Sequence, residues 1–346
     1  MLERKRTAKT VLLTREPDPF TPEAGAEPLP GYKLQRLRGR GAFATVWEAS
    51  TPNGDSIAMK FLSSQNINST AREIRTLQGI QRLEHPNLLK TRRVWSMPGY
   101  IVIAMDLADA SLLDLYLLYA EEFQQPVDVN QILLYLHQTG VALDYLNARS
   151  HAFEGKIVGF QHGDVKPNNI LLVADEAKLA DYGLALPMNG STTPCYRQGT
   201  LDYAAPEIFL GNMTDTSDQY SLAVTYYLLR TGAFPFPSPP PHPGKNYYRP
   251  PPDLSLLTNE EQPVLARALT PAPQSRFPSC TEMMAQLLRA NSMELVPLAN
   301  GKTSVQHSDG SYQMLLSPGI YSLDRSAQII PSAGSRCGRR RHRRRS

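Results

Sequence analysis

The sequence predicts an α+β chain in two lobes, a small β-rich one followed by a larger α-helical one. Three observations carry this. As far as Met105 the apolar residues fall in short, strand-sized runs, two of them bracketing the turn signal Pro52-Asn53-Gly54. Beyond Asp106 they recur at helical spacing over longer stretches. The chain has 346 residues, 41% apolar and 20% charged, enough for a real core in each part. No apolar run nears the roughly 18–20 residues that span a bilayer.

Residues 1–30 hold five prolines and no periodicity, which predicts a loose lead-in. A first domain, 31–290, opens strand-like at Tyr32. Val46, Trp47 and Ala49 precede the turn, and Ile57 to Leu62 follow it as the second arm of a hairpin. Thr70-x-x-Glu73 reads as a capping box opening a helix through Ile74, Leu77 and Ile80, which stops before His85-Pro86. Leu88-Leu89 and Tyr100–Met105 read as strands, completing a small lobe over 31–105. Ser111 caps a short helix through Tyr119. A longer helix begins near Asp128, with Val129, Ile132, Leu133, Leu136, Leu143 and Leu146 on one face. Asp218 to Arg230 is apolar on most sides, as a buried central helix would be. Nine prolines between Pro235 and Pro252 predict an extended surface segment. Within it Pro237-Ser-Pro-Pro240 fits a PxxP ligand and, more simply, a stiff connector. Thr281 to Ala290 reads as the last helix of a larger lobe over 109–290. Residues 291–346 form an extension, with a strand–turn–strand expected around Ser317-Pro318-Gly319 and an Arg-rich tail at 336–346.

The formal charge is +4. Setting aside the seven arginines between 336 and 345 and the +3 on residues 1–10 leaves −6 on the body. The tail could meet an anionic partner, nucleic acid or a membrane surface, but no aromatic residue is interleaved for base stacking, so a solvated tail is the plainer reading. Cys195, Cys280 and Cys337 are spaced for neither a metal site nor a disulfide framework. Val11 to Leu13 is too short for a signal-peptide core. A reducing, cytoplasmic setting is expected.

The chemistry-bearing residues come in clusters. Gly39-Arg-Gly41-Ala-Phe43-Ala-Thr-Val46 lies between two strands, where glycines let backbone amides approach a polyphosphate; alone, it is equally an ordinary turn. Lys60, between Met59 and Phe61, taken singly is a lysine that snorkels to solvent, and Glu73 is accounted for by its capping box. The decisive stretch is His162-Gly-Asp164-Val-Lys166-Pro-Asn-Asn169-Ile-Leu171, followed by Asp181-Tyr182-Gly183. Phosphoryl transfer from ATP needs metal ions on the phosphates and a carboxylate at the attacking hydroxyl, and this compact array of Asp, Lys and Asn supplies both.

In this order and spacing the residues resemble the eukaryotic-type protein kinase family, in the form also found in bacteria, over about Tyr32 to Ala290. The resemblance implies the two-lobed protein kinase fold and an ATP-dependent serine/threonine kinase of protein substrates, serving signalling, with Mg2+ or alternatively Mn2+. It implies that the loop of Gly39, Gly41 and Phe43 covers the phosphates. Lys60 would contact the α- and β-phosphates while paired with Glu73. Asp164 would be the catalytic base, Lys166 a γ-phosphate contact, and Asn169 and Asp181 the metal ligands. Val46, Ala58 and Leu171 would sandwich the adenine, with Met105 as gatekeeper and Asp106 to Ala108 as hinge. Further matches are Gly199-Thr200 on the substrate side, Ala205-Pro206-Glu207, Asp218, Gly232-x-x-Pro235-Phe236 and Arg276. Glu207 and Arg276 would form a buried ion pair and Asp218 would brace the catalytic loop, all three structural.

The chain departs from the family pattern at three places. Gly163 stands where an arginine commonly receives an activation-loop phosphate, so activity is expected not to depend on phosphorylation acting through it. Ser191, Thr192 and Thr193 are the candidate autophosphorylation sites. Ala44 replaces the third loop glycine and Tyr182 the usual phenylalanine. His-Gly-Asp also occurs in small-molecule phosphotransferases of related fold, the main rival reading. Lys166, Thr200, Ala-Pro-Glu and Arg276 speak for a protein substrate. A pseudokinase scaffold is the non-enzymatic rival, against which stand Lys60, Asp164, Asn169 and Asp181, all present.

Overall fold

The computed structural model describes residues 20–41, 44–63, 77, 79, 81–182, 185–195, 199–240, 243, 247–297 and 303–309. All belong to one unit bounded by Leu315. β1 (Lys33–Arg40), β2 (Ala44–Ser50), β3 (Ser56–Ser63), β4 (Thr91–Met97) and β5 (Tyr100–Asp106) form an antiparallel sheet in the order β1-β2-β3-β5-β4. The β2–β3 hairpin closes where the turn signal lies, with Gly54 N donating to Thr51 O at 3.0 Å. Strand alternation sends Leu34, Trp47, Ala49, Ile57, Met59, Phe61, Val102 and Ala104 into one core. Burying a side chain such as Phe61 or Met59 contributes roughly 1.5–3 kcal/mol each. The intervening residues Val46, Ala58, Lys60 and Met105 take the opposite face, with Val46 paired to Lys60 and Ala58 to Met105.

Two expectations for this lobe are corrected. Leu88 and Leu89 make no strand; Leu88 forms an isolated bridge with Leu179, and Leu89 N donates to Leu179 O at 2.8 Å. The edge strand is β4 instead, whose Arg92 and Arg93 hide its alternation around a single buried Val94. The lead-in, expected to stay loose through residue 30, is packed from Phe20 onward. Phe20 stacks on Phe61 at 5.9 Å, and Leu34 N donates to Ala26 O at 2.9 Å. Prolines exclude a helix there, but not packing. The Thr70–Glu73 capping box lies outside the described residues; from that helix Leu77 and Gly79 are described, and both are helical.

The larger lobe begins with β6 (Ala110–Ser111) and α1 (Leu112–Leu118), which runs into a π turn at Tyr119–Phe123. Ser111 Oγ accepts from Asp114 N at 3.1 Å and Asp114 Oδ2 accepts from Ser111 N at 2.9 Å, a reciprocal cap. Asp128 caps α2 (Val129–Asn147) by accepting from Asn130 N at 2.7 Å. This helix is buried on more than the one expected face, because further layers follow. These include β7 (His151–Phe153), β8 (Lys156–Gln161), β9 (Ile170–Val173) and β10 (Glu176–Leu179). β11 (Leu186–Met188) pairs with β8. β12 (Thr192–Pro194) pairs with β13 (Asn212–Thr214), and the short α3 (Pro206–Phe209) lies between them. α4 (Ser217–Thr231) is the expected central helix, with Tyr220, Tyr226 and Tyr227 enclosed along its length.

The described residues of 235–252 form neither helix nor strand. α5 (Glu261–Ala268) was not expected, with Pro263 in its first turn; α6 (Cys280–Ala290) was. The fold continues past Ala290 into a hairpin of β14 (Met293–Pro297) and β15 (Thr303–His307), β14 packing on α6. The strand–turn–strand expected at Ser317–Gly319 and the Arg-rich tail lie outside the described residues. Among the described residues no helix is long and apolar enough to cross a membrane.

Candidate active site

β8 delivers the chain into the turn His162-Gly163-Asp164, and a 3-10 turn at Pro167–Asn169 carries it into β9. Asp164 is the hub. Its Oδ2 accepts from Lys166 Nζ at 2.7 Å and Asn169 Nδ2 at 2.9 Å, and its Oδ1 from Thr200 N at 3.0 Å. Lys166 Nζ also donates to Thr200 Oγ1 at 2.6 Å. Residues from two separate stretches therefore meet around one carboxylate.

Asp218, at the start of α4, holds this turn from beneath. It accepts from His162 N at 2.6 Å and Gly163 N at 2.9 Å, and its complete burial pushes its carboxyl pKa up. His162 is fully buried, and its Nε2 lies 2.8 Å from Ala180 O. A carbonyl only accepts, so Nε2 carries the proton and Nδ1 is left to accept from Asp164 N at 3.3 Å. The Tyr182 ring lies edge-on to His162, and its hydroxyl donates to Leu179 O at 2.6 Å. Burial raises the Tyr182 pKa, so the hydroxyl that distinguishes it from phenylalanine stays protonated and bonded.

Lys60 reaches down from β3 to Asp181, Nζ to Oδ1 at 2.6 Å. Asp181 has φ 67, an uncommon conformation for a residue with a side chain. Glu73, the partner expected for Lys60, lies outside the described residues, as do Phe43 and Gly183. Met105, next to last in β5, pairs with Ala58, and the final residue Asp106 spends its side chain on Arg92 at 2.7 Å. Ala108 follows in the connection to β6, whose Ser111 pairs with Leu171 of β9. A Cβ on Gly39 would meet nothing within 4 Å, and one on Gly41 only Ala44 O at 3.7 Å. Packing within the described chain thus demands neither glycine.

Deeper in the larger lobe Glu207 and Arg276 form a two-pronged pair, Nη1 to Oε1 at 2.7 Å and Nη2 to Oε2 at 2.8 Å. Burial alone would raise the Glu207 carboxyl, but the hydrogen bonds and charge of Arg276 outweigh it and hold the pKa below the ordinary value. Thr192 is exposed and Thr193 half-buried, and the backbones of both belong to the β12–β13 ladder; exposed Ser191 just precedes it. Sequence reasoning missed Arg249. It is 3% exposed, its guanidinium lies over the rings of Phe209 and Phe236, and its Nη2 donates to Leu201 O at 2.6 Å, next to Thr200. A single arginine among prolines and tyrosines carries no pattern that could have announced this.

A family model described as protein kinase domain matches residues 32–294. CBL-interacting protein kinase 4 of Oryza sativa subsp. japonica is 33% identical over 61% of this chain and 46% of its own length. Serine/threonine-protein kinase PknI of Mycobacterium tuberculosis is 31% identical over 73% of this chain and 40% of its own. PknJ of the same organism is 28% identical over 73% and 44%. The chain spans about half the length of the curated relatives it matches. With a family model covering most of its length and a β-rich lobe joined to a helical one around Asp164, this chain belongs to the protein kinase domain family.

Proposed function

We propose that the chain is an ATP-dependent serine/threonine protein kinase, transferring the γ-phosphoryl group of ATP to hydroxyls of protein substrates in signalling. One observation carries this: Lys166 Nζ bridges Asp164 Oδ2 and Thr200 Oγ1, while Thr200 N holds Asp164 Oδ1. The carboxylate that accepts the hydroxyl proton and the loop that presents the hydroxyl are thereby built as one unit. A small-molecule phosphotransferase needs no such coupling to a peptide-binding loop. Relatives named as serine/threonine kinases support the same substrate class.

Asp164 serves as base and Lys166 as the γ-phosphate contact, with Lys60 on the α- and β-phosphates and Glu73 as its helix partner. Gly39, Gly41 and Phe43 cover the phosphates, and Val46, Ala58, Met105, Asp106, Ala108 and Leu171 bound the base. Asn169 and Asp181 suit a hard divalent cation, magnesium or manganese, since both offer oxygen. The amide nitrogen of Asn169 is spent on Asp164, which leaves its oxygen for the metal. Among the described residues no cluster of three His, Cys, Asp or Glu forms a cage. One carboxylate and one amide, completed by phosphate oxygens and water, is the donor set magnesium takes at phosphoryl-transfer sites. When bound, the ion neutralises phosphate charge. Cysteine usage supports a cytoplasmic setting, Cys195 and Cys280 being free thiols.

The test offers radiolabelled γ-phosphate ATP with magnesium to a mixture of serine, threonine and tyrosine peptides, and separately to an aminoglycoside and choline. Labelling of serine and threonine peptides, lost in Asp164→Asn, is expected. Label on the alcohols alone would overturn the substrate class, and label on neither would favour a scaffold.

A further inference from the structure

The loop from Thr200 to Ala204 is pinned along its length. Thr200 N donates to Asp164 Oδ1 at 3.0 Å, and Tyr203 O accepts from Ser221 Oγ at 3.0 Å. Between them Leu201 O accepts from Ala204 N at 3.2 Å and from Arg249 Nη2 at 2.6 Å. Arg249 comes from the proline-rich segment, whose ends are tied by Asp253 N donating to Pro235 O at 2.8 Å. Its guanidinium carbon lies 5.2 Å from the ring centre of Phe209 and 4.8 Å from that of Phe236. Phe236 in turn stacks on Tyr220 at 6.1 Å, and Arg276 lies over the Tyr220 ring. Rings and guanidinium groups thus join the Glu207–Arg276 pair to the carbonyl next to Thr200. The two arginines differ in one respect. Arg276 has the Glu207 carboxylate, whereas Arg249 has no carboxylate partner among the described residues, and its Nε is buried without an acceptor. Burying a guanidinium without a counter-ion works against folding, and ring faces and one carbonyl offset that only in part. Folding alone would be served as well by an apolar side chain of the same length.

We propose that Arg249 is a positioning residue for phosphoryl transfer to peptides, holding the Leu201 carbonyl so that Thr200 stays on Asp164 and Lys166 where the acceptor hydroxyl arrives. The assignment rests on the protein-kinase reading above. It brings in the proline-rich segment, which none of the glycine, lysine, aspartate or Ala-Pro-Glu motifs includes. Arg249 is 3% exposed, so it acts through the loop and not by touching substrate. Thr200 and Leu201 are neighbours, so a loosened Leu201 carbonyl loosens the Thr200 amide with it. The rings of Phe209 and Phe236 confine the guanidinium plane, which aims the donor at Leu201 O before any peptide binds. Lysine, with a single flexible ammonium, offers the charge without that fixed direction.

The experiment uses the full chain with Mg2+, ATP and a serine peptide, beside urea unfolding and amide hydrogen exchange. Arg249→Met keeps the length and packs against the rings but has no donor. It is expected to lower kcat/KM for the peptide about tenfold, the scale of one lost charged hydrogen bond. The ATP KM should hold within about twofold and the urea midpoint should stay at or above that of wild type. Amides of residues 200–204 should exchange about tenfold faster, with those of β9 unchanged. Arg249→Lys should recover part of the peptide kcat/KM. A lowered urea midpoint with exchange raised throughout the larger lobe would mark a residue that merely holds the fold, and would overturn the assignment. So would a wild-type peptide kcat/KM in Arg249→Met. A wild-type chain that labels no peptide would remove the kinase reading itself. Exchange at 200–204 would still report whether Arg249 holds the loop, which separates the two failures.

Discussion

Lys60 and Asp181 are in direct contact, Nζ to Oδ1 at 2.6 Å, which joins β3 of the small lobe to the residue two past β10 in the larger one. Lysine inside a strand paired on both sides and aspartate at φ 67 are each held by their own segment, so the contact sets the separation of the two lobes at the cleft. On the proposed function these charges act on the phosphates and their ion, so removing either should damage transfer far more than nucleoside binding. Lys60→Met and Asp181→Ala are each expected to lower kcat by about 10²-fold or more, the scale of losing one preorganised charge. Adenosine affinity should be held within about twofold. Calorimetric titration with adenosine, beside steady-state kinetics, checks both halves.

Thr200 links Lys166 to the loop at 199–200 through its hydroxyl, at 2.6 Å. Thr200→Val keeps the branched shape and deletes that acceptor. Lys166 then loses one of two partners, and the loop keeps only the Thr200 N bond to Asp164. The expected result is a fall of about tenfold in kcat/KM for a serine peptide with the ATP KM unchanged. Initial rates with each substrate varied in turn decide it.

Glu207→Gln would leave the Arg276 charge buried over the Tyr220 ring without its counter-ion, costing about 3–5 kcal/mol. The folded carboxyl titrates below its ordinary value of 4.5, because Arg276 outweighs the opposing effect of burial. A depressed acid stabilises fully above its unfolded pKa, and that stabilisation is lost as pH falls through the folded one. The gap in urea unfolding free energy between wild type and variant should therefore be complete near neutrality and close only as pH drops below the ordinary carboxylate range.

Much of this was legible because the signals were local. Ser111 and Asp128 announce α1 and α2 by side chains that cap the very next turn, and the Asp164–Asn169 stretch is one turn long, so its spacing is its geometry. α5 was also announced. Thr258-x-x-Glu261 obeys the same capping rule, with Glu261 N donating to Thr258 Oγ1 at 3.2 Å and Thr258 N to Glu261 Oε2 at 3.0 Å. The neighbouring prolines obscured it. What no local reading reaches is contact between distant stretches: Arg38 with Ala108, Arg249 with Leu201, Lys60 with Asp181. Nothing in the sequence near Arg38 or Arg249 depends on the partner, so only the folded chain reveals them.

The segment carrying Ser191, Thr192 and Thr193 is held by backbone pairing. Thr192 faces Thr214, Thr193 faces Met213, and Cys195 N donates to Gly211 O at 2.9 Å. Gly163 offers no side chain for a phosphate to engage. Replacing all three hydroxyl residues by alanine leaves the ladder's N–H and C=O groups untouched, so at least half of wild-type activity should remain. Cys195→Pro, which deletes one ladder donor, should do more harm than the triple variant. Phosphate content by mass spectrometry, measured beside activity, completes the comparison, and a collapse in the triple variant would restore a phosphorylation requirement.

Gly199 sits where a side chain has no room and the backbone favours none. Its φ is +83, and a Cβ there would lie 2.8 Å from Gly163 O and 3.1 Å from Asp164 Oδ1. Neither neighbour can yield freely. Gly163, itself at φ 80, is tied by its N–H to Asp218, and Asp164 is fixed by three donors. Relief must come from moving the 199–200 backbone outward, which lengthens the Thr200 N bond and draws Lys166 with it. Gly199→Ala adds about 1–2 kcal/mol of left-handed strain, small beside its effect on chemistry, since a displacement of about 1 Å at a positioning contact can cost about 10²-fold in rate. The expected outcome is a variant that melts within a few degrees of wild type and binds ATP normally, yet transfers phosphate about 10²-fold more slowly. Thermal melts and single-turnover transfer on one preparation would show it, and a variant of undiminished rate would mean that the Gly163–Gly199 contact does not set the position of Asp164.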